Sequence, residues 1–453
     1  MKKVYALIIG LCISFTGFSQ SCLPEGITFS TQAQIDSFPI DYPGCTEIIG
    51  PVTICGNDIS DLSGLSSLTS VDNNLAIGWE DSENPLLTSL AGLEGLTFVR
   101  TLYIVNNLNL NSLAGLNNLD TIQWFLSVVG NQSLINLNGL DNLKYIGSDI
   151  FIEENNSMIN FAGLEGLTRI SQAYVYDNPA LVDFTGLNNV DHFSGIFDIV
   201  GNASLINFHG LENLTKADLL KVWYNENLVN LDGLQGVTTL SSFLNLDNNP
   251  SLVDLTGLDN LVSIGDDLYI SANESLSSIK VLEKLNSIDG NLTISSNSAL
   301  TSLDGLDSIA ASSINDLQIS WNSNLSTCDV ESVCDYLADP NGNVFIFGNA
   351  AGCNSVEEVE NECTAGINVN KLLGNPIYIH PNPASTQIIV ETLLVQNSCH
   401  YILSDLNGQP LIQGQLSPSK TIVDISELVT GIYYLKVTNN NFVNVFKIVK
   451  NCY

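Results

Sequence analysis

The sequence predicts a mainly β protein: a solenoid of short repeated coils with a cap at each end, followed by a small C-terminal β-sandwich. Three observations lead to this fold class. Phrases of 23–24 residues recur through the middle of the chain, the cysteines cluster near the two ends of that region, and the residue pattern changes after Cys363. Repeats of this length are typical of solenoids, in which each unit packs only against its neighbours.

A Gly-Leu pair marks each repeat. Nine intervals cover the 213 residues from Gly92 to Gly305, which gives a mean spacing of about 23.7 residues. Val281 occupies the one slot in which the glycine is missing. An alternating apolar pair such as Ile150 and Ile152 precedes the glycine in each unit. This period of two predicts a short strand with one face inward. Each coil should therefore consist of a strand, a turn, an extended arc and a second turn.

An asparagine lies eight residues before each repeat anchor. In stacked coils, strands lie about 4.8 Å apart, so these side chains should lie directly above one another. Each amide can then donate to and accept from its neighbours. The sequence thus predicts a structural ladder of Asn84, Asn107, Asn131, Asn155, Asn178, Asn202, Asn225, Asn249, Asn273, Asn297 and Asn322, with Asn349 in the corresponding position of a last coil.

The repeat resembles the receptor L-domain. This domain is related to leucine-rich repeats and is found in receptor tyrosine kinase ectodomains. The phrases IGDDLYISANESL (264–276) and IDGNLTISSNSAL (288–300) carry the resemblance, which covers roughly residues 45–350. It implies a right-handed parallel solenoid of about eleven coils over residues 56–327. The family binds ligands, but these ligands differ so widely that the resemblance names no partner.

The two ends of the solenoid need caps, because they would otherwise expose unpaired strand edges. Residues 20–55 are the predicted N-terminal cap, with a helix in STQAQIDSF capped by Ser30 or Thr31. Residues 328–363 are the predicted C-terminal cap, with helices in DVESVCDYL and SVEEVENEC and a last strand in NVFIFGN. Residues 1–19 have the basic start and apolar middle of a secretory signal peptide, and no later stretch predicts a transmembrane span.

Nine cysteines lie outside the predicted signal peptide, and none of them falls between residues 56 and 327. In an exported protein this distribution predicts disulfides that staple the caps. The expected pairs are Cys22–Cys45 and Cys399–Cys452, together with two bridges among Cys328, Cys334, Cys353 and Cys363. Cys55 is left without a partner.

The segment after Cys363 predicts a different domain. Residues 364–376 have the composition of a linker, and residues 377–453 show short alternating strands that predict a β-sandwich. Pro381-Asn382-Pro383, SDLNGQ (404–409), DISELVTGIYYLKV (424–437) and VFKIVK (445–450) resemble the type A sorting domain of the type IX secretion system of Bacteroidetes. The resemblance implies export by the type IX machinery and a secreted or outer-membrane surface-attached protein. A ligand-binding sandwich is the alternative.

The charge excludes some classes of partner. The chain has 14 Lys and Arg against 48 Asp and Glu, a formal net charge of −34. Such a surface repels nucleic acid and anionic lipid. The acidic turns form no EF-hand pattern, and the cysteine spacings match no zinc site, so no metal or cofactor is expected.

An enzyme is one alternative function, because parallel β-solenoids can host polysaccharide lyases and hydrolases. The basic residues of the coils show no recurring pair, and neither His192 nor His209 has an obvious catalytic partner nearby in the sequence. Carboxylate pairs such as Asp266-Asp267 occur by chance in so acidic a chain. We therefore expect no enzymatic activity. A structural, self-associating surface component is the other alternative.

Recognition of a protein or glycan is the favoured function, because exposed aromatic side chains on a rigid surface are typical of binding sites. The outward positions of the strands and the turn residue after them hold an unusual number of aromatic residues in the middle coils. The predicted ligand face comprises Phe151, Tyr174, Tyr176, Trp223 and Tyr224. Packing of surface aromatics along the sheet is the competing explanation.

Overall fold

The computed structural model describes residues 20–79, 83–366, 377–392, 399–406, 408–417, 419–438 and 443–451. The predicted signal peptide and most of the predicted linker lie outside the described residues. The chain forms two compact units, Met1–Val356 and Glu357–Tyr453.

The first unit is a parallel β-solenoid, as predicted. Each strand of its main sheet pairs in parallel with the strand of the next coil. The strands are Ile27–Phe29, Val52–Ile54, Ser70–Ile77, Phe98–Val105, Leu126–Val129, Asp149–Glu153, Gln172–Tyr176, Ile196–Val200, Leu219–Trp223, Leu244–Asp247, Leu268–Ser271, Leu292–Ser295, Leu317–Ser320 and Val344–Phe347.

The solenoid has about 14 turns. Eleven of the main-sheet strands lie within residues 56–327, in agreement with the number of coils expected there. The caps supply the other three, Ile27–Phe29, Val52–Ile54 and Val344–Phe347. The last of these strands was predicted in NVFIFGN, whereas the two N-terminal strands were missed because they lack the Gly-Leu signature of the repeat.

The coils also contain shorter strands. Six of them form a separate sheet, and the other four belong to the same sheet as the main strands. The six are Arg169–Ile170, His192–Phe193, Lys216–Ala217, Thr239–Leu240, Ser263–Ile264 and Ser287–Ile288; the others are Gln20–Cys22, Cys45–Ile48, Thr121–Ile122 and Tyr145–Ile146. Three single turns of 3₁₀ helix, Ser63–Leu65, Lys280–Leu282 and Ala311–Ser313, complete the arcs.

The repeat leucines fill the interior, and most of them are fully buried. The asparagine ladder beside them is confirmed. The backbone N–H and the side-chain amide of Asn155 both donate to Oδ1 of Asn178, at 3.1 and 3.3 Å. The same amide donates to the carbonyls of Val128 and Glu153. This pattern satisfies the polar backbone groups of a buried turn in each coil. The column of asparagines extends through Asn322 to Asn349.

The caps also form largely as predicted. Helix Gln32–Asp41 begins after Thr31, which forms a capping box with Gln34. Helices Glu331–Ala338 and Val356–Gly366 occupy the two other predicted helical segments.

The disulfides of the two caps agree with the predicted framework. Cys22 pairs with Cys45 and Cys328 pairs with Cys353, and Cys334 and Cys363 are also disulfide-bonded. Cys55 is a free thiol, and so is the buried Cys399. The predicted Cys399–Cys452 pair is therefore wrong; Cys452 itself lies outside the described residues.

Gly163 shows why the repeat needs glycine at its anchor. Its φ is +109°, and a Cβ placed there would lie 2.2 Å from the carbonyl oxygen of Leu137 in the preceding coil. We expect Gly163→Ala to lower the free energy of unfolding by at least about 2 kcal/mol, because it adds backbone strain and a clash between coils. Urea unfolding measures this loss. Gly431→Ala is the control, since its Cβ would meet nothing closer than 4.0 Å; equal losses in the two variants would contradict the explanation.

The second unit contains two antiparallel sheets. One comprises Ile377–His380, Gln387–Thr392 and Ser419–Asp424, and the other comprises His400–Ser404, Pro410–Gln415, Gly431–Thr438 and Val443–Lys450. Buried side chains from both sheets, including Ile388, Val423 and Leu435, form one hydrophobic core. This arrangement is the predicted β-sandwich.

Candidate functional site

The outer face of the main sheet carries the candidate site. Along each strand, inward apolar residues alternate with side chains that point away from the interior. Because the strands pair in register, equivalent outward residues form columns across the coils. Phe151, Tyr174, Asp198 and Lys221 occupy successive positions of one column.

The five predicted ligand-face residues lie on this face in two groups. The Phe151 and Tyr174 rings stack with centroids 4.9 Å apart and planes 5° apart, and the Tyr176 ring lies 5.9 Å from that of Tyr174. The second group is Trp223 and Tyr224, with ring centroids 5.9 Å apart. Tyr224 is 51% exposed, whereas the other four side chains are half-buried. The strand Ile196–Val200 separates the two groups.

Asp198 joins the two groups. The Tyr176 hydroxyl donates to its Oδ2 at 2.9 Å, and the Trp223 indole N–H donates to its Oδ1 at 2.9 Å. The Lys221 ammonium lies 3.5 Å from Oδ2 and 4.3 Å from the centroid of the Trp223 ring. Asp198 is only 5% exposed. One buried carboxylate therefore fixes two aromatic side chains and a lysine from the two strands that flank its own.

Sequence reasoning missed Asp198 because it searched the outward columns for aromatic residues. The signal that would have found it is its register. Asp198 lies two residues before the position that Tyr176 and Trp223 flank on the adjacent strands, so its carboxylate can accept hydrogen bonds from both of those side chains.

The aromatic surface extends beyond the predicted residues. Edge-to-face contacts join Trp79 to Tyr103, Tyr103 to Phe125 and Phe125 to Phe151, with centroid distances of 5.2, 5.3 and 5.9 Å. These rings pack along the sheet, as the competing explanation held. Packing holds them in fixed orientations, because each ring contacts the ring of the next coil.

Several ionisable groups of the outer face have raised pKa values, among them Tyr176 and Glu153. Burial, the hydrogen bond to Asp198 and the nearby negative charge raise the pKa of Tyr176 well above its usual range, so its hydroxyl remains a donor. Burial and the neighbouring carboxylates of Glu154 and Asp177 raise the pKa of Glu153.

The raised pKa of Glu153 predicts a pH-dependent contribution to stability. The folded state binds a proton more tightly than the unfolded state, so stability falls as the pH rises from the unfolded pKa, near 4.5, through the higher folded pKa. We expect Glu153→Gln to raise the urea midpoint at pH 7 and to leave it unchanged at pH 3. Glu274→Gln, at an exposed turn position, should change neither value. A midpoint gain for Glu153→Gln that is the same at both pH values would contradict this account.

The comparisons identify the tail. Residues 378–451 match the family described as a secretion system C-terminal sorting domain. The chain therefore ends in a type IX sorting domain, and the protein is secreted or attached to the outer-membrane surface. No curated protein matches the chain. The receptor L-domain resemblance of the solenoid stays a prediction.

Within the described ranges, no group of three or more His, Cys, Asp or Glu side chains is placed to hold a metal ion. None of the described helices is long and apolar enough to cross a bilayer.

Proposed function

We propose that the solenoid is a non-enzymatic recognition module, which binds an extracellular protein or glycan through the outer face of its main sheet. The observation that carries this proposal is the cluster in which Asp198 holds Tyr176, Trp223 and Lys221. The sorting tail supports the extracellular setting, because it directs the protein out of the cell.

The cluster favours binding because its parts are held in place before a ligand arrives. Aromatic side chains supply large contact areas, and hydrogen bonds to Asp198 remove much of the rotational freedom that binding would otherwise cost. Tyr224 adds an exposed ring at the turn beside Trp223. The face therefore offers ring edges and an ammonium group in a fixed arrangement to a ligand that combines apolar and polar groups.

The same geometry weighs against catalysis at this cluster. Both oxygens of Asp198 accept a hydrogen bond from a neighbouring ring group. A carboxylate that is occupied in this way positions side chains, whereas a general acid or base must reach the proton of a substrate. The charge of −34 also opposes contact between copies of the chain, which weighs against a self-associating surface component.

The proposal is tested by a search for the ligand with the exported chain. A glycan array covers the sugar class, and pull-down from bacterial and host surface extracts covers the protein class. We expect one of the two to yield a saturable ligand. A folded chain that binds nothing in either search and self-associates in sedimentation would contradict the proposal and support the structural alternative.

A further inference from the structure

A second surface lies on the extended arc, beyond the asparagine turn. In six consecutive coils, the residue four before the repeat glycine is an exposed branched aliphatic, between 38% and 47% exposed. These residues form the aliphatic stripe: Ile135, Ile159, Val182, Ile206, Val229 and Val253. Their area on the surface is on the order of 400 Å², which is the size of the largest apolar patches on monomeric proteins, and such patches are often functional.

The stripe residues lie directly above one another. The backbone N–H of Ile159 donates to the carbonyl of Ile135 at 2.9 Å, and the same bond repeats in every coil up to Val253, whose carbonyl accepts from Ser277. The backbone along the stripe is thus engaged between coils. A partner cannot add a strand there and must contact the side chains.

The fold does not require aliphatic residues at this position. The equivalent residues of the neighbouring coils are exposed as well, but they are polar. They are Thr88 and Asn111 before the stripe, and Ser277, Thr301 and Ser326 after it. The aliphatic character is therefore confined to one continuous segment, which indicates a purpose other than stacking of the coils.

The charges around the stripe are of one sign. The six arcs that carry it, residues 131–140, 155–164, 178–187, 202–211, 225–234 and 249–258, contain no Lys or Arg. They contain four acids, Asp183, Glu226, Asp232 and Asp254. A second copy of this acidic chain would be repelled, whereas a partner with basic residues beside its apolar contacts would be attracted.

The spacing of the stripe residues along the solenoid axis favours a helical partner over an extended one. Successive coils place an aliphatic side chain about every 4.8 Å along the axis. An α-helix lying along that axis presents one side of itself every 5.4 Å, whereas a strand repeats its face only every 6.7 Å or so. The helix is the closer match, and a stripe of about 24 Å corresponds to roughly 16 helical residues.

We propose that the aliphatic stripe is a docking site for an amphipathic α-helix of a partner protein, with aliphatic residues three and four apart and Lys or Arg on the flanks. The stripe contacts the apolar side of the helix, and the acidic arcs attract its basic flanks. This surface is separate from the outer face of the main sheet, so the proposal does not depend on the recognition function assigned there.

The test uses the exported chain and two labelled synthetic 18-residue peptides of identical Leu, Ala and Lys composition. One has its leucines on one side of the helix, and the other has them distributed around it. The stripe variant is Ile159→Thr/Ile206→Thr/Val229→Thr, since threonine already occurs in this column. The matched control is Ile40→Thr/Ile49→Thr/Val429→Thr, which removes exposed aliphatics elsewhere. Circular dichroism confirms that each variant folds, and fluorescence anisotropy gives the affinities.

We expect the one-sided peptide to bind the wild-type chain and the control at least about tenfold more tightly than it binds the stripe variant. The distributed peptide should bind all three weakly and equally. Equal binding of the one-sided peptide to wild type and stripe variant would overturn the proposal, as would equal binding of the two peptides. Sedimentation that shows a wild-type dimer, which the stripe variant loses, would also overturn it, because a second copy would then cover the stripe.

Discussion

Replacement of Asn155 by alanine is expected to lower the free energy of unfolding by about 3–5 kcal/mol. Asn155 is fully buried. Its amide donates to two backbone carbonyls and to Asn178, and its Oδ1 accepts from the backbone N–H and the amide of Asn131. Alanine removes all of these bonds and leaves the buried backbone N–H of Asn131 without its acceptor. Urea unfolding, followed by circular dichroism, measures the loss.

The chain offers a closely matched control for this substitution. Asn156 is the next residue and is exposed, so Asn156→Ala removes the same side chain from the same turn without opening the ladder. We expect it to change the free energy of unfolding by less than about 0.5 kcal/mol. Similar losses in the two variants would show that the turn itself, and not the ladder, depends on asparagine.

Asp198→Asn is expected to weaken ligand binding at least tenfold while the solenoid stays folded. Asparagine keeps the shape of the side chain but has one acceptor oxygen in place of two, and it removes the charge that attracts Lys221. The asparagine oxygen can still accept from Trp223 while its NH2 group donates to the Tyr176 hydroxyl, but both hydrogen bonds then become neutral and weaker than those to the carboxylate. Tyr176 and Trp223 are therefore held less firmly, and ordering them costs part of the binding free energy of a ligand.

Tyr176 provides a readout of the same change without a ligand. Burial is the largest cause of its raised pKa, and the hydrogen bond and charge of Asp198 add to it. The pKa of Tyr176 should therefore fall in Asp198→Asn, although only part of the way to its usual value. Carbon-13 NMR of labelled tyrosine during an alkaline titration measures the shift. Asp266→Asn, at an exposed turn, should leave both the pKa and the affinity unchanged; a parallel decrease in both variants would contradict a special role for Asp198.

The repeat could be predicted because its rules are local. The anchors at Gly163 and equivalent positions, the leucines and the Asn155 column all recur with one period, and each reports a constraint that every coil must meet. The strands of the caps stack on the coils in the same way, but the residues of the caps do not follow the repeat pattern. Strands such as Ile27–Phe29 and Val52–Ile54 therefore add coils that the period does not reveal.

The candidate site could be predicted only in part. Alternation along the strands was sufficient to place Tyr176 and Trp223 outward. Asp198 was missed because its importance depends on where three side chains meet in space. The aliphatic stripe was missed for a different reason: Ile206 follows a core leucine directly, and in the sequence an exposed aliphatic looks the same as a buried one.

The most direct test of the recognition function uses the ligand that the glycan array or the pull-down identifies. Its affinity is measured for two variants of the exported chain, Trp223→Ala and Trp124→Ala. Trp124 is 49% exposed and contacts Arg100 instead of the Asp198 cluster, so the two variants remove the same side chain from two places. We expect Trp223→Ala to weaken binding at least tenfold and Trp124→Ala to leave it unchanged. Undiminished binding by a folded Trp223→Ala chain would contradict recognition through the outer face of the main sheet.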